Sequence, residues 1–190
     1  IIRLELHLER MKASAAALGF SFDRHAVRNA LHHACFFLDS PTRIRLLLSP
    51  PGDTAIEMRP APAPLAEPLR VVVRTMALAP DDLRLAHKTT DRACYDVPRH
   101  EARTQYGADE VVFTDADGAL TEGSFTSIFV ERDGLLLTPP LGQGLLPGIL
   151  RRDLIDQGRA VEHPLTPADL ADGFWLGNCL RGMMRARLID

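Results

Sequence analysis

Of the 22 basic side chains in this 190-residue chain, two are lysines, Lys12 and Lys88, and the rest are arginines. Chemistry that demands a primary amine, such as covalent capture of a carbonyl, therefore has two candidates. Lys88 lies in Leu85-Ala86-His87-Lys88-Thr89-Thr90, ahead of a helical pattern, where it could equally be an exposed lysine at a helix start. Further on, Asp115-Ala116-Asp117-Gly118 reads as a β-turn leading into Thr121-Glu122-Gly123-Ser124. A carboxylate there could keep a pyridine-type nitrogen protonated, as an electron-sink cofactor requires, or be a solvated hairpin Glu. Leu146-Pro147-Gly148-Ile149-Leu150-Arg151 puts Pro and Gly at a helix start, where unpaired backbone N–H groups can bind an anion. An ordinary loop-to-helix junction has the same composition. Arg10, three residues after His7, can add a charge-assisted bond to such an anion, or be a surface arginine.

These groups need elements to carry them. Leu8, Met11, Ala15 and Leu18 recur at helical spacing from about His7 to Leu18, with Gly19 as a stop. Asp23 is a credible N-cap for a second helix through Val27, Leu31 and Ala34 toward Phe37. After Pro41 come short β-type runs at 43–48, 54–58 and 69–76, broken by Pro-Pro-Gly at 50–52 and a Pro/Ala stretch at 60–68. Beyond 77–86, which holds Pro80, Asp81 and Asp82, residues 89–106 are broadly helical despite Pro98. Strands are expected at 110–114, 120–131 and 135–138, with Asp-Gly turns at 117–118 and 133–134 where hairpins need positive φ. A helix over about 149–157 and a strand near 174–176 come last. The expectation is an α+β chain with a small N-terminal α+β lobe over 1–76, a linker over 77–86, and a larger C-terminal lobe over 87–190 built on an antiparallel meander.

Composition narrows the class. With 46% hydrophobic residues the chain can bury a core. A net charge of −3 and a pI near 6.2, with the charges scattered, give no electrostatic case for nucleic acid. No apolar run is long enough to span a membrane, and the start lacks a signal-peptide layout. Cys35, Cys94 and Cys179 are odd in number and form no C-x-x-C pair, so they read as reduced, small core residues of a cytoplasmic protein. His32, His33, His100 and His163 lack partners at ligand spacing, Asp115 and Asp117 lack the downstream Glu of an EF-hand, and no metal is expected. Gly142-Gln143-Gly144 is too short for a dinucleotide or Walker loop.

The order and spacing of several segments resemble the class IV aminotransferase family. They are His7-Leu8-Glu9-Arg10-Met11 with Ser14-Ala15, then Lys88, then Asp117-Gly118 through Thr121-Glu122-Gly123-Ser124 to Ile128-Phe129. Leu137-Thr138-Pro139-Pro140 and Leu146-Pro147-Gly148-Ile149 follow. That family includes branched-chain and D-amino acid aminotransferases and aminodeoxychorismate lyase. The resemblance covers nearly the whole chain and implies a two-lobed fold-type IV enzyme using pyridoxal 5′-phosphate (PLP), as a homodimer with each pocket near the subunit interface. It matches Lys88 to the catalytic lysine that holds the cofactor covalently, Glu122 to the partner of the pyridine nitrogen, and Arg10 to the phosphate-binding arginine. Gly148, Ile149 and Leu150 match the phosphate-binding turn, and Thr126 and Ser127 the pocket lining before Ile128-Phe129.

Within the family, His87-Lys88-Thr89-Thr90-Asp91-Arg92 and Gly177-Asn178-Cys179-Leu180-Arg181-Gly182 look most like the lyase domain fused behind aminodeoxychorismate synthase component I. This implies conversion of 4-amino-4-deoxychorismate to 4-aminobenzoate and pyruvate in folate biosynthesis. Arg181 and Asn178 would then lie at the substrate, with the guanidinium gripping a carboxylate. A class IV aminotransferase acting on branched-chain or D-amino acids would use the same lysine and carboxylate, and a degenerate domain of the same fold would bind no cofactor. Branched-chain members carry a tyrosine soon after the lysine; Ala93 occupies about that place, and Tyr95 lies further on. Ser127 stands where an Asn often precedes the Ile-Phe strand. Both departures weaken a branched-chain reading more than a lyase one. Family members also begin with a strand ahead of the first helix. The chain opens at Ile1, without an initiator Met, so it is expected to lack that strand and to be cut from a longer polypeptide such as the fusion.

Overall fold

A computed structural model describes residues 1–189, in two units of which the first is Ile1–Pro64. In that unit, α1 (Leu4–Leu18) stops where Gly19 takes a left-handed φ of 70°, and α2 (Arg24–Cys35) starts on the side chain of Asp23, which accepts from the Ala26 N–H at 2.9 Å. Strands β1 (Thr42–Leu48) and β2 (Thr54–Pro60) form an antiparallel pair, with Ile44 opposite Met58 and Leu46 opposite Ile56. The apolar stripes of these elements meet: Leu8, Val27 and Leu31 are buried against Leu4, Phe22, Ile44, Leu46 and Ile56.

The second unit begins at Leu65. It comprises β3 (Leu69–Thr75), the short α3 (Leu83–Ala86), α4 (Ala93–Tyr106), β4 (Glu110–Thr114), β5 (Leu120–Gly123), β6 (Ser127–Arg132), β7 (Leu135–Thr138), α5 (Ile149–Asp156), β8 (Ala160–Glu162), β9 (Phe174–Asn178) and β10 (Gly182–Leu188). The strands form one sheet in the order β5-β4-β3-β10-β9-β6-β7-β8. Alternate residues feed different cores. Val71, Val112, Ile128 and Leu176 share one, Val72, Val111 and Phe113 pack with Tyr95 and Ala102 of α4, and Phe129 packs with Leu150 and Leu154 of α5. With both faces covered, the strands need not alternate apolar and polar residues; every residue of β4 and β5 is buried.

Several expectations change. The run at 69–75 does not belong with the first unit. It lies in the interior of the sheet, parallel to both β4 and β10, because Val71 and Val72 each have a core to enter. Residues 77–86 are not a bare linker. Asp82 caps α3, accepting from the Arg84 N–H at 2.9 Å, and Leu85 is buried among Tyr95 and Phe113. The sheet is mixed rather than an antiparallel meander, since β7 and β8 also run parallel. The expected strand 120–131 breaks into β5 and β6 at Ser124–Thr126, and β8 and β10 are additional. Asp133 and Gly134 both take positive φ, as the hairpin reading requires, at 52° and 77°. Cys35, Cys94 and Cys179 are free but half-buried rather than fully in the core.

Candidate active site

Glu122 is the pivot. β5 offers its carboxyl no bulk water, and that burial pushes it from the usual 4.5 up to about 7. Three influences favour the ionised form. The Tyr95 hydroxyl donates to Oε1 at 2.7 Å, the Leu146 N–H donates to the same oxygen at 3.2 Å, and the positive charges of Lys88 and Arg92 act on it. Tyr95 comes from the first turn of α4, where its ring meets Phe113 edge-on at 5.7 Å and lies under the Arg92 guanidinium at 5.0 Å. Burial first, then the neighbouring Glu122 charge, drive the Tyr95 phenol well above its ordinary value, so it serves as a donor.

The chain then turns sharply. The Gly123 N–H donates to the Thr126 carbonyl at 2.8 Å, and a Cβ on Gly123 would stand 2.2 Å from Thr126 Oγ1, so only glycine fits. Thr126 Oγ1 is itself buried and, among the described residues, has no hydrogen-bond partner. Ser127 Oγ faces Gly148, where an added Cβ would lie 2.5 Å away. Gly148 has an ordinary φ of −62°, so space rather than backbone freedom demands glycine there. It starts α5 with no side chain capping the helix, and Ile149 and Leu150 follow, both buried. Leu150 reaches under Gly177, where a Cβ would come within 2.8 Å of it.

Asn178 ends β9 and joins two loops. Its Nδ2 donates to the Phe125 carbonyl at 3.2 Å, and its Oδ1 accepts from the Leu180 and Arg181 N–H groups at 3.0 and 2.8 Å. The turn carrying Arg181 is thereby tied to the turn that follows Glu122. Lys88 sits just past α3; it is exposed, and its charge is felt at Glu122. The segment 122–127 thus gathers Glu122, Thr126 and Ser127 with Gly148, Asn178 and the charge of Lys88. Arg10 lies on α1, in the first unit.

Two residues that act on Glu122, Tyr95 and Arg92, were not singled out by spacing, and neither was Glu110 at the start of β4. Glu110 carried a signal, being the one charged residue in the apolar run Glu-Val-Val-Phe-Thr. Tyr95 was visible only as a tyrosine two residues past the expected place. Chemically the site offers an amine, a buried acid able to meet a cationic N–H, and an uncapped helix start against the Ser127 hydroxyl.

The model of the family described as amino-transferase class IV matches residues 1–189. A Schizosaccharomyces pombe protein provisionally named an aminodeoxychorismate lyase is 30% identical over 158 residues, 82% of this chain. The chain spans 68% of that protein and 59% of the next curated relative. A Mesorhizobium loti crystal structure provisionally described as an amino-acid aminotransferase superposes with a TM-score of 0.88 at 37% identity, covering 99% of this chain and 92% of its own. A hypothetical aminotransferase of Mycobacterium tuberculosis, solved with α-ketoglutarate and PMP bound, gives 0.80 at 26% identity, with 98% and 76% covered.

Proposed function

Since the chain belongs to the class IV amino-transferase family, we propose that it is a PLP-dependent aminodeoxychorismate lyase, releasing pyruvate and 4-aminobenzoate from 4-amino-4-deoxychorismate. The observation that carries the reading is the buried Glu122 carboxyl, pushed to about 7 and held at one oxygen by Tyr95 and Leu146. An acid so placed gains from a cationic partner. The residues present fit PLP: the Lys88 amine for its aldehyde, Glu122 for its ring nitrogen, and the N–H groups of Ile149 and Leu150 for its phosphate. Thr126 Oγ1, buried and unsatisfied, and Ser127, against Gly148, line the same place. Arg10 is assigned to the phosphate by resemblance alone.

When bound, PLP supplies an electron sink through its ring, provided the ring nitrogen keeps a proton. Glu122, ionised, would keep that proton on the ring nitrogen, and the Tyr95 hydroxyl keeps the carboxylate ionised and oriented. Lys88 Nζ would hold the cofactor covalently and, with the substrate amine in place, would take the proton from the carbon bearing that amine. Arg181, in the turn held by Asn178, grips a substrate carboxylate. Loss of the proton at the amine-bearing carbon lets the ring become aromatic; the enolpyruvyl group departs and, on taking up a proton, is pyruvate.

The lyase reading is supported by the Lys88-Thr89-Thr90-Asp91-Arg92 segment and by the name of the S. pombe relative. The similarity to proteins described as aminotransferases favours transamination as the second reading. A homodimer, association with aminodeoxychorismate synthase component I, and a cytoplasmic location belong to the same proposal. Among the described residues no helix is long and apolar enough to cross a membrane. The test is pyruvate release from aminodeoxychorismate by the PLP-loaded chain without a keto acid, beside a Lys88→Ala variant. The variant should lose both the visible absorbance of bound cofactor and turnover, and pyruvate release by it would sink the role of Lys88. Amine transfer from an L- or D-amino acid without pyruvate release would select the second reading. A chain that never acquires the absorbance would be the degenerate domain.

A further inference from the structure

Glu110 is a second buried carboxyl, fully shielded at the start of β4, and the chemistry above makes no use of it. One of its oxygens does the work of three acceptors. Oε1 takes the Val111 N–H at 2.8 Å, the Ser124 N–H at 3.2 Å and the Ser124 hydroxyl at 2.5 Å. Oε2 has no hydrogen-bond partner among the described residues, and neither does the buried Nε of Arg99, which lies 4.0 Å from Oε1. Burying an acid this way is costly, and burial raises its carboxyl to about 7. A Leu would fill the same space without that cost, but it could not hold Ser124.

Ser124 is the middle of the turn between β5 and β6, and each of its polar groups is engaged. Its N–H is shared between Glu110 and the Val111 carbonyl, at 3.0 Å from the latter, its hydroxyl goes to Glu110, and its carbonyl accepts from Arg92 at 2.5 Å. Two residues before it is Glu122; two after it is Thr126, whose hydroxyl fills the space over Gly123. We propose that Glu110 is a positioning residue of the active site, fixing through Ser124 the turn that sets Glu122 and Thr126, with Arg92 holding the other end of the same residue. The functional sense of this role rests on Glu122 and Thr126 meeting the cofactor as proposed above.

The test compares Glu110→Leu, Glu110→Gln and Ser124→Ala with the unaltered chain, by amide hydrogen exchange of the peptide spanning 120–127 and by PLP titration. Glu110→Leu should speed exchange across 122–126 and weaken PLP binding, each by about tenfold, the loss expected for hydrogen bonds to a buried acceptor. Exchange in β9 and β10 should stay as in the unaltered chain. Glu110→Gln keeps an acceptor oxygen and should restore both values to within about threefold. Glu110→Leu that folds with unchanged exchange in this peptide would overturn the proposal, and so would Glu110→Gln behaving as Glu110→Leu. Should Glu110→Leu not fold, Ser124→Ala decides, because it removes the hydroxyl link alone: faster exchange at 122–126 upholds the proposal and unchanged exchange overturns it. If the unaltered chain does not bind PLP, the functional reading fails while the exchange data still decide what Glu110 does to the turn.

Discussion

Tyr95→Phe removes one oxygen and should reveal itself through pH. The ring keeps its edge-on contact with Phe113, while Glu122 loses the donor at 2.7 Å and retains the Leu146 N–H. A hydrogen bond to a charged acceptor is worth about 1.5–3 kcal/mol net, and it favours the ionised carboxyl. At about 1.4 kcal/mol per tenfold, that is about ten- to hundredfold in the proton equilibrium. Glu122 starts near about 7, so it is half-ionised at neutral pH in the unaltered chain. In the variant the ionised fraction at pH 7 should drop to about a tenth or less.

If the cofactor requires the ionised form, competition from the proton alone should weaken PLP binding by about five- to fiftyfold at pH 7 in the variant. At pH 9 the carboxyl is at least about half-ionised in both proteins, and the two dissociation constants should agree within about twofold. Other groups that titrate in this range are common to both proteins and cancel in the ratio. The measurement is a PLP titration followed by absorbance at both pH values, with a melting curve to show that the variant is folded. A variant-to-parent ratio equal at pH 7 and pH 9 would refute the coupling between Tyr95, Glu122 and the cofactor.

Two further outcomes are expected. Glu122 binds its proton more tightly folded, at about 7, than unfolded, at about 4.5, so the stability tied to it is full below pH 4.5 and is lost as pH rises through 7. The loss is about 3 kcal/mol at 1.4 kcal/mol per pH unit, and Glu122→Gln should flatten that part of the curve in urea melts at pH 5 and 8 without PLP. Gly148→Ala places a Cβ 2.5 Å from Ser127 Oγ, at a φ the backbone tolerates. It should weaken PLP binding by about tenfold, a cost of the size expected for overpacking, and Ser127→Ala in the same chain should recover most of the loss; no recovery would mean the crowding is not with Ser127.

Local chemistry made much of this readable from sequence. The stripes of α1 and α2, the Asp23 cap and the Asp133-Gly134 turn follow from neighbours a few residues apart, and each is found. Glu122 and Gly148 stand out through the order and spacing of the segments that resemble the family, since each alone fits an ordinary turn or helix start. What escaped depends on distant partners. β3 pairs Val71 with Glu110, and no local pattern in 69–75 announces two parallel neighbours. The alternation of buried Met184 and Ala186 with exposed Arg185 and Arg187 marks β10, whereas the expected elements end at the strand near 174–176.

Tyr95 shows why counting residues from the lysine misleads. A helix aims its side chains by phase, about 100° per residue, so the site responds to where α4 begins and which face it turns inward. α4 begins at Ala93, whose side chain is exposed, and the inward direction falls to Tyr95, which reaches the Glu122 carboxyl that a residue at 93 could not. The same logic separates two kinds of residue. Lys88 and Glu122 can be recognised by type, since an amine and an acid are what the chemistry consumes. Glu110 and Arg92 act by holding a neighbour's backbone, which many residue types could do, so only the fold reveals that role; Asn178, which the sequence places at the substrate, holds backbone in the same way. On the proposed reading, a chain that kept Lys88, Glu122 and Gly148 but lost the acceptor at Glu110 would keep the groups assigned to the reaction and lose the turn that aims them.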